Sequence, residues 1–266
     1  MSLRALRAAP TLLRVGLAEM AAYRAELVIW ILTATMPLVM MLVWDRVADG
    51  GPVQGYSRDA FARYFLSSLV ARQLVAAWVL WEIESGVRTG SIGPALLKPV
   101  HPMWGWAADT LAALPFRLLV LAPLLGLILW WRPGALPQLD AAAALAFAAS
   151  TALGWCVYFG QQALIGCGAF WFTQVSGVWS AWFGLFALAS GYLFPPELLP
   201  GAFAAAARLS PFYATMGVPT AILSGGLRGP AAWSAIGGQA AWAVAIGAVL
   251  ALVWRAGVRR LEAVGG

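Results

Sequence analysis

Charged side chains are scarce in this sequence of 266 residues. They make up 11% of it, against roughly 25% in ordinary soluble domains, whereas hydrophobic residues make up 62%. Several runs of about twenty residues carry almost no charge, the length that a helix needs to cross a hydrocarbon core ~30 Å thick. The composition therefore excludes a soluble globular protein and predicts an all-α membrane protein built as one helical bundle.

Lysine, histidine and cysteine are almost absent, and this excludes several kinds of active site. A P-loop needs Gly-Lys followed by Ser or Thr to hold phosphates, but the only lysine, Lys98, lies between Leu97 and Pro99. The single histidine, His101, cannot form a two-histidine zinc motif, and the two cysteines lack metal-ligand or disulfide-framework spacing. We predict no catalytic residue, metal or cofactor on this chain. A lone serine or a membrane-embedded acid stays open as an alternative.

Six apolar segments are predicted to cross the membrane, as one transmembrane domain at 27–254. An amphipathic helix lying in the interface is predicted at 1–26, because leucines gather on one side of it and arginines on another; a frayed tail is the alternative. A basic cytoplasmic tail follows at 255–266. The predicted crossings are 27–44, 61–81, 103–131, 141–170, 177–194 and 231–254.

The segment 195–229 is apolar but cannot span the membrane. Five prolines divide it into pieces of under twenty residues, and proline ends or kinks a helix. We therefore predict an external re-entrant hairpin of two short helices, which dips into the outer leaflet and returns or caps the bundle. The prolines are Pro195, Pro196, Pro200, Pro211 and Pro219.

The formal net charge of +6 comes mainly from arginines at the edges of apolar segments. Such placement is typical of membrane topology rather than of nucleic-acid binding. Six crossings put both termini on one side, and the side richer in basic residues is the cytoplasm. The predicted cytoplasmic group has nine members, Arg4, Arg7, Arg14, Arg24, Arg88, Lys98, Arg255, Arg259 and Arg260, and the opposite group has five, Arg46, Arg58, Arg132, Arg208 and Arg228.

The cytoplasmic loop predicted at 82–103 is rich in glycine, proline and charge. Pro94 can begin a short helix, Leu96 and Leu97 give it an apolar edge, and the following prolines end it. Such a helix can dock in a groove on a soluble partner, although an ordinary solvated loop fits the composition equally well. The candidate docking residues are Glu82, Glu84, Gly86, Gly90, Leu96, Leu97, Lys98, Pro99 and Pro102.

Three charged residues lie within predicted crossings, where an ion is costly and usually faces protein or water. Arg72 is about 14 Å from the inner end of the second crossing, and Asp109 and Arg117 are roughly 8 Å and 20 Å into the third. We predict an ion pair between Arg72 and Asp109, with Arg117 facing a pathway or a partner subunit. The alternative is that all three are structural.

Polar and small residues in the fourth crossing indicate close helix packing. Gln161 and Gln162 lie in the middle of this segment and are predicted to join helices by hydrogen bonds; substrate contact is the alternative. Small residues let helix backbones approach closely, so neighbouring helices are expected against the glycines. These are Gly154, Gly160, Gly166 and Gly168.

The order of these elements resembles the permease subunits of ABC-2 type exporters, a type V exporter-like arrangement. The likeness is most specific in residues 90–102, GSIGPALLKPVHP, which are similar to a loop signature of a bacterial drug- and toxicant-exporter subfamily. A second likeness is the turn FWFT at 170–173, although Gln174 and Val175 stand where the family often has Glu and Arg.

The resemblance implies a permease of the bacterial inner membrane that forms its pathway at a homo- or heterodimer interface. It also implies separate ABC ATPase subunits that carry the ATP and magnesium. The 82–103 loop, with Phe172 and Thr173 in the later turn, would be the cytoplasmic coupling element, and the cargo a drug, cationic toxicant or other amphiphile. A secondary transporter, or a membrane enzyme acting on a lipid, is the alternative. Asp109, Gln161 and Gln162 meeting in one cavity would favour the enzyme.

Overall fold

The computed structural model describes residues 11, 24–137, 139–172 and 174–261, so most of the predicted interfacial helix and residues 262–266 lie outside it. The described chain is helical and holds no β-strand, only one isolated bridge between Val53 and Tyr56. Its helices are α1 Arg24–Val47, α2 Arg58–Val75, α3 Val79–Thr89, α4 Ile92–Leu96, α5 Pro102–Ala112, α6 Leu114–Trp131, α7 Ala141–Cys167, α8 Ser176–Ala189, α9 Gly201–Leu209, α10 Val218–Leu223 and α11 Gly229–Val258.

Four helical stretches of the described chain are long and apolar enough to cross a membrane: Arg58–Thr89, Pro102–Trp131, Ala141–Phe170 and Gly229–Val258. They coincide with four of the predicted crossings, and the all-α architecture is confirmed. Helix α1 covers the predicted first crossing. Helix α8 is shorter than the predicted fifth crossing, since its 14 residues span only about 21 Å. It ends at Ala189, and the chain then turns through Gly191, whose φ is +84°.

Helix α7 is the central helix of the bundle and contacts α3, α10 and α11. Its glycines make these contacts possible. A Cβ at Gly154 would collide with the carbonyl oxygen of Thr215, and one at Gly160 would lie 2.6 Å from Ile246 Cγ2. A Cβ at Gly166 would lie 3.0 Å from the carbonyl oxygen of Leu80. The prediction that glycines allow close helix packing here is confirmed.

The predicted second crossing is not one continuous helix. Helix α2 ends at Val75, and Ala76 adopts an extended conformation with φ −61° and ψ 135° before α3 begins at Val79. Most of α2 is buried among α1, α6, α7 and α10. A helix break exposes backbone groups that need partners inside a bundle. This break therefore has to be satisfied by another element.

The proline-rich segment forms short helices, as predicted. Helix α9 is followed by a π-helical turn at Tyr213–Gly217 that continues into α10. The hydroxyl of Tyr56, which precedes α2, donates to Glu197 Oε2 at 3.2 Å. The proline-rich segment thus lies beside the start of the helical stretch Arg58–Thr89, whereas Lys98 lies beyond the other end of that stretch.

Candidate functional site

The segment that joins α2 to α5 is more helical than predicted. Glu82, Glu84 and Gly86 lie within α3 rather than in a loop, so the expected start of the loop at residue 82 is wrong. One face of α3, including Leu80 and Ile83, is fully buried, and burial of this apolar face against α7 stabilises the helix. The helix ends at Gly90, whose φ of +76° is the left-handed conformation that glycine adopts without strain.

The side chain of Glu84 is buried, with 8% exposure, and it links α3 to the chain after α7. Its Oε1 atom accepts a long hydrogen bond of 3.5 Å from the backbone N–H of Val175. The rings of Trp81 and Trp179 lie 5.7 Å apart and connect α3 with α8. These contacts hold α3, the turn at 168–175 and the start of α8 together.

The loop proper runs from Gly90 to His101. Helix α4 begins at Ile92 rather than at Pro94, because Ile92 is buried with 1% exposure and anchors the start of the helix. Leu97 is 89% exposed, and Lys98 and Pro99 beside it are exposed as well. The predicted apolar edge therefore projects away from the protein at Leu97.

His101 closes the loop and begins α5. Its Nδ1 atom accepts from the backbone N–H of Met103 at 3.3 Å, which caps the helix, with Pro102 in the first turn. Burial lowers the pKa of His101, in keeping with a neutral ring that accepts at Nδ1. The ring centroid lies 5.1 Å from that of Trp254 on α11.

An aromatic layer lies beneath the loop. Trp254 contacts Trp106 of α5 and Phe170 of the turn after α7, with ring centroids 6.0 Å and 5.8 Å apart. Gly257 receives the Phe170 ring, because any Cβ there would collide with it. Phe172 is 60% exposed, and the predicted site residue Thr173 lies outside the described residues. Two apolar side chains, Leu97 and Phe172, thus project at one end of the bundle.

Arg72 is buried between aromatic rings. Its guanidinium carbon lies 5.1 Å from the ring centroid of Tyr158 and 5.6 Å from that of Phe186, distances at which a cation is attracted to the ring face. The side chain is directed at α7 and α8, and the ion pair with Asp109 on α5 stays a prediction.

Arg117 is buried within the chain, with 2% exposure. Its Nη1 atom donates to the carbonyl oxygen of Ala76 at 2.5 Å. Ala76 is the residue at which α2 stops, so Arg117 supplies a partner that the helix break needs. The prediction that Arg117 faces a pathway or a partner subunit stays a prediction.

Buried glutamines connect α7 and α11 to the chain around the π-helical turn. Gln161 donates from Nε2 to the carbonyl oxygen of Pro211 at 3.0 Å, whereas Gln162 is buried with 1% exposure and its Nε2 atom has no hydrogen-bond partner among the described residues. The interhelical role of this pair stays a prediction. The sequence reading missed Gln239 of α11. It accepts from Ser150 Oγ at 2.8 Å and donates to the carbonyl oxygen of Ala214 at 2.8 Å. A glutamine in the uncharged run 231–254 was the available signal.

A cluster of charges at the opposite end of the bundle was also missed. The side chain of Asp45 is 7% exposed and pairs with Arg58 at 2.7 Å and with Arg132 at 2.6 Å. The hydrogen bond from Arg58 is the main reason that the pKa of Asp45 lies below its ordinary value, and Arg132 adds to it. These two ion pairs join the end of α1 to the start of α2 and to the residue that follows α6. An aspartate directly after an apolar run was the available signal.

The family model described as "ABC-2 family transporter protein" matches residues 28–265. No curated protein and no solved structure matches the chain.

Proposed function

Because the chain belongs to the ABC-2 family of transporter proteins, we propose that it is the membrane-spanning permease subunit of an ATP-driven exporter. ATP and magnesium bind to a separate ABC ATPase. Two permease subunits, identical or related, form the translocation pathway at their interface. The six predicted crossings, both termini in the cytoplasm and the bacterial inner membrane belong to the same proposal. The cargo is a drug, a cationic toxicant or another amphiphilic small molecule.

The ATPase docks on a surface that we call the base surface, formed by Leu97, Lys98, Pro99 and Phe172. The exposure of Leu97 and Phe172 at one end of the bundle supports this assignment. Large apolar side chains that project together into solvent mark sites of protein interaction. Lys98 adds a positive charge for a complementary partner.

The observation that carries the proposal is the link between α3 and the turn after α7. Glu84 accepts from the N–H of Val175, and Gly166 lets α7 approach the backbone of α3 closely. Therefore α3 and the turn after α7 move as one body when a force is applied to the base surface. Rigid, closely packed elements transmit small displacements because packed interiors resist compression.

The break at 76–78 is the hinge of the mechanism. The base surface moves α3, while α2 stays fixed in the bundle core. Hinges are residues at the ends of elements that absorb changes in φ and ψ, and Ala76 occupies such a position. Rotation about this point converts a cavity open to the cytoplasm, at the dimer interface, into one open to the outside.

The docking assignment is tested by charge substitution on the base surface. Leu97→Asp and Phe172→Asp are expected to abolish co-purification of the ATPase from native membranes, detected by mass spectrometry. Leu136→Asp is the matched control, since Leu136 is 59% exposed in the segment between α6 and α7. Retention of the ATPase by both base-surface variants would contradict the proposal, and so would its absence from the wild-type preparation.

A further inference from the structure

A cavity of about 570 Å³ lies between the start of α2, the hairpin and the first half of α11. Its size falls within the range of small-molecule sites in proteins, roughly 300–1,000 Å³. The wall on α11 runs from Ser234 to Trp242, about 12 Å along the helix axis. None of Glu84, Leu97, Lys98 or Phe172 lines it. The cavity is thus separate from the coupling elements.

Two opposite charges stand at the cavity wall. Arg208 Nη2 lies 3.3 Å from Glu197 Oε1, and the two side chains are 49% and 37% exposed. Glu197 is also held from the other side by the hydroxyl of Tyr56. A guanidinium carries five N–H donors in a fork that matches phosphate. The pair thus offers N–H donors that can bind a phosphate and, directly beside them, a carboxylate that can accept hydrogen bonds.

The remainder of the wall is mostly apolar, with a few hydroxyl and amide groups such as those of Ser234 and Gln239, and it reaches the surface of the bundle. Leu209 is 76% exposed and is fixed by its carbonyl oxygen, which accepts from Trp242 Nε1 at 3.1 Å. Gly238 and Ala235 keep part of the α11 side of the cavity free of bulky side chains, although Gln239 and Trp242 also line it. In a membrane protein such an exposed apolar wall faces acyl chains. The cavity therefore presents a charged end and an apolar, laterally open side.

We propose that this cavity binds a phospholipid with a zwitterionic headgroup, of the phosphoethanolamine type, from the leaflet around the hairpin. Arg208 binds the phosphate, Glu197 binds the ammonium group, and one acyl chain lies along α11 beside Gly238. A ligand with a charge of one sign would interact with only one member of the Glu197–Arg208 pair, whereas a zwitterion offers an opposite charge to each of them. The site requires neither the ATPase nor the cargo.

The test uses a phosphatidylethanolamine that carries a photoactivatable diazirine in its acyl chain. The purified full chain is reconstituted in vesicles that contain this probe, illuminated, and the labelled peptides are identified by mass spectrometry. Label is expected in residues 234–242. Gly238→Leu is expected to abolish this labelling, because its side chain occupies the cavity without a backbone clash: no atom lies within 4 Å of a Cβ at this position.

Gly237→Leu is the matched control. Gly237 is also exposed, also has no atom within 4 Å of an added Cβ, and does not line the cavity; this variant is expected to be labelled like the wild type. Arg208→Gln, a surface change, is expected to weaken labelling about tenfold through loss of a charge-assisted hydrogen bond. Equal labelling of Gly238→Leu and Gly237→Leu would overturn the proposal.

Two further measurements identify the ligand class. A phosphatidylglycerol probe with the same diazirine is expected to label residues 234–242 much less than the phosphatidylethanolamine probe, and equal labelling would overturn the zwitterionic assignment. Soluble glycerophosphoethanolamine is expected not to compete, because it lacks the acyl chain. Displacement of the probe by this headgroup alone would overturn the lipid assignment.

Discussion

The guanidinium of Arg117 donates to the carbonyl oxygen of Ala76 at a distance of 2.5 Å, inside the bundle. Ala76 is where α2 stops, and the lost helical geometry leaves its carbonyl in need of a donor. Arg117 lies close to the joint between α5 and α6 at Ala113. One buried cation thus stabilises an interruption in a neighbouring helix.

Arg117→Leu is expected to destabilise the protein. The carbonyl of Ala76 loses its donor in a dry environment, which costs about 1–3 kcal/mol. The apparent melting temperature of the purified chain should fall by several degrees. The melting temperature of Arg117→Lys, which keeps a donor, should fall less. Arg46→Gln serves as the control, since Arg46 is exposed. Equal melting temperatures for Arg117→Leu and Arg46→Gln would contradict the proposed role.

Glu84→Ala is expected to lower transport per ATP hydrolysed. It removes the acceptor that joins α3 to Val175. The loss of this hydrogen bond, worth about 1 kcal/mol, is expected to lower transport per ATP hydrolysed roughly fivefold. Glu84→Gln should be much milder, since its amide oxygen still accepts from a backbone N–H. The measurement is cargo transport and ATP hydrolysis by the reconstituted complex. A parallel fall of both rates, with their ratio unchanged, would indicate a purely structural role.

Gly154→Ala is expected to be destabilising, although alanine is the better helix former. The added methyl group meets the carbonyl oxygen of Thr215, and overpacking of this kind costs typically 1–3 kcal/mol. Gly126→Ala on α6 has open space around its Cβ and should gain up to about 1 kcal/mol from helix propensity. Thermal unfolding of the two variants in the same detergent should therefore shift in opposite directions.

Acidification is expected to weaken the Asp45 cluster. The folded-state pKa of Asp45 is lowered, so its contribution to stability is complete above the unfolded value of ~3.9 and is lost as the pH falls from there through the folded value. Between pH 6 and pH 3, the melting temperature of Asp45→Asn should therefore fall less than that of the wild type. Asp49 pairs with the same Arg58 but is 52% exposed. The melting temperature of Asp49→Asn should therefore fall between pH 6 and pH 3 almost as much as that of the wild type. An unchanged profile in Asp45→Asn would rule out this contribution.

The placement of individual charges could not be predicted from the chain. Arg72 and Asp109 have suitable depths for an ion pair, but depth along a helix axis says nothing about which face a side chain occupies. The rings of Tyr158 and Phe186, on other helices, lie beside Arg72. The extension of α3 to Thr89 was missed for a related reason. Its polar residues, such as Glu84, resemble a loop until α7 and the Val175 turn are present to bury them.

The sequence alone determined that this is a helical membrane protein, where its long apolar stretches lie, where glycines allow helices to touch, and which transporter family the chain belongs to. These follow from local properties: hydropathy over about twenty residues, proline and glycine positions, and one short motif. The tertiary structure alone decided that α2 breaks at Ala76, that Arg117 supports the break, and that Glu197 and Arg208 meet beside a cavity. Each of these depends on residues far apart in the chain, whose contact is set by how the helices pack and rotate against one another.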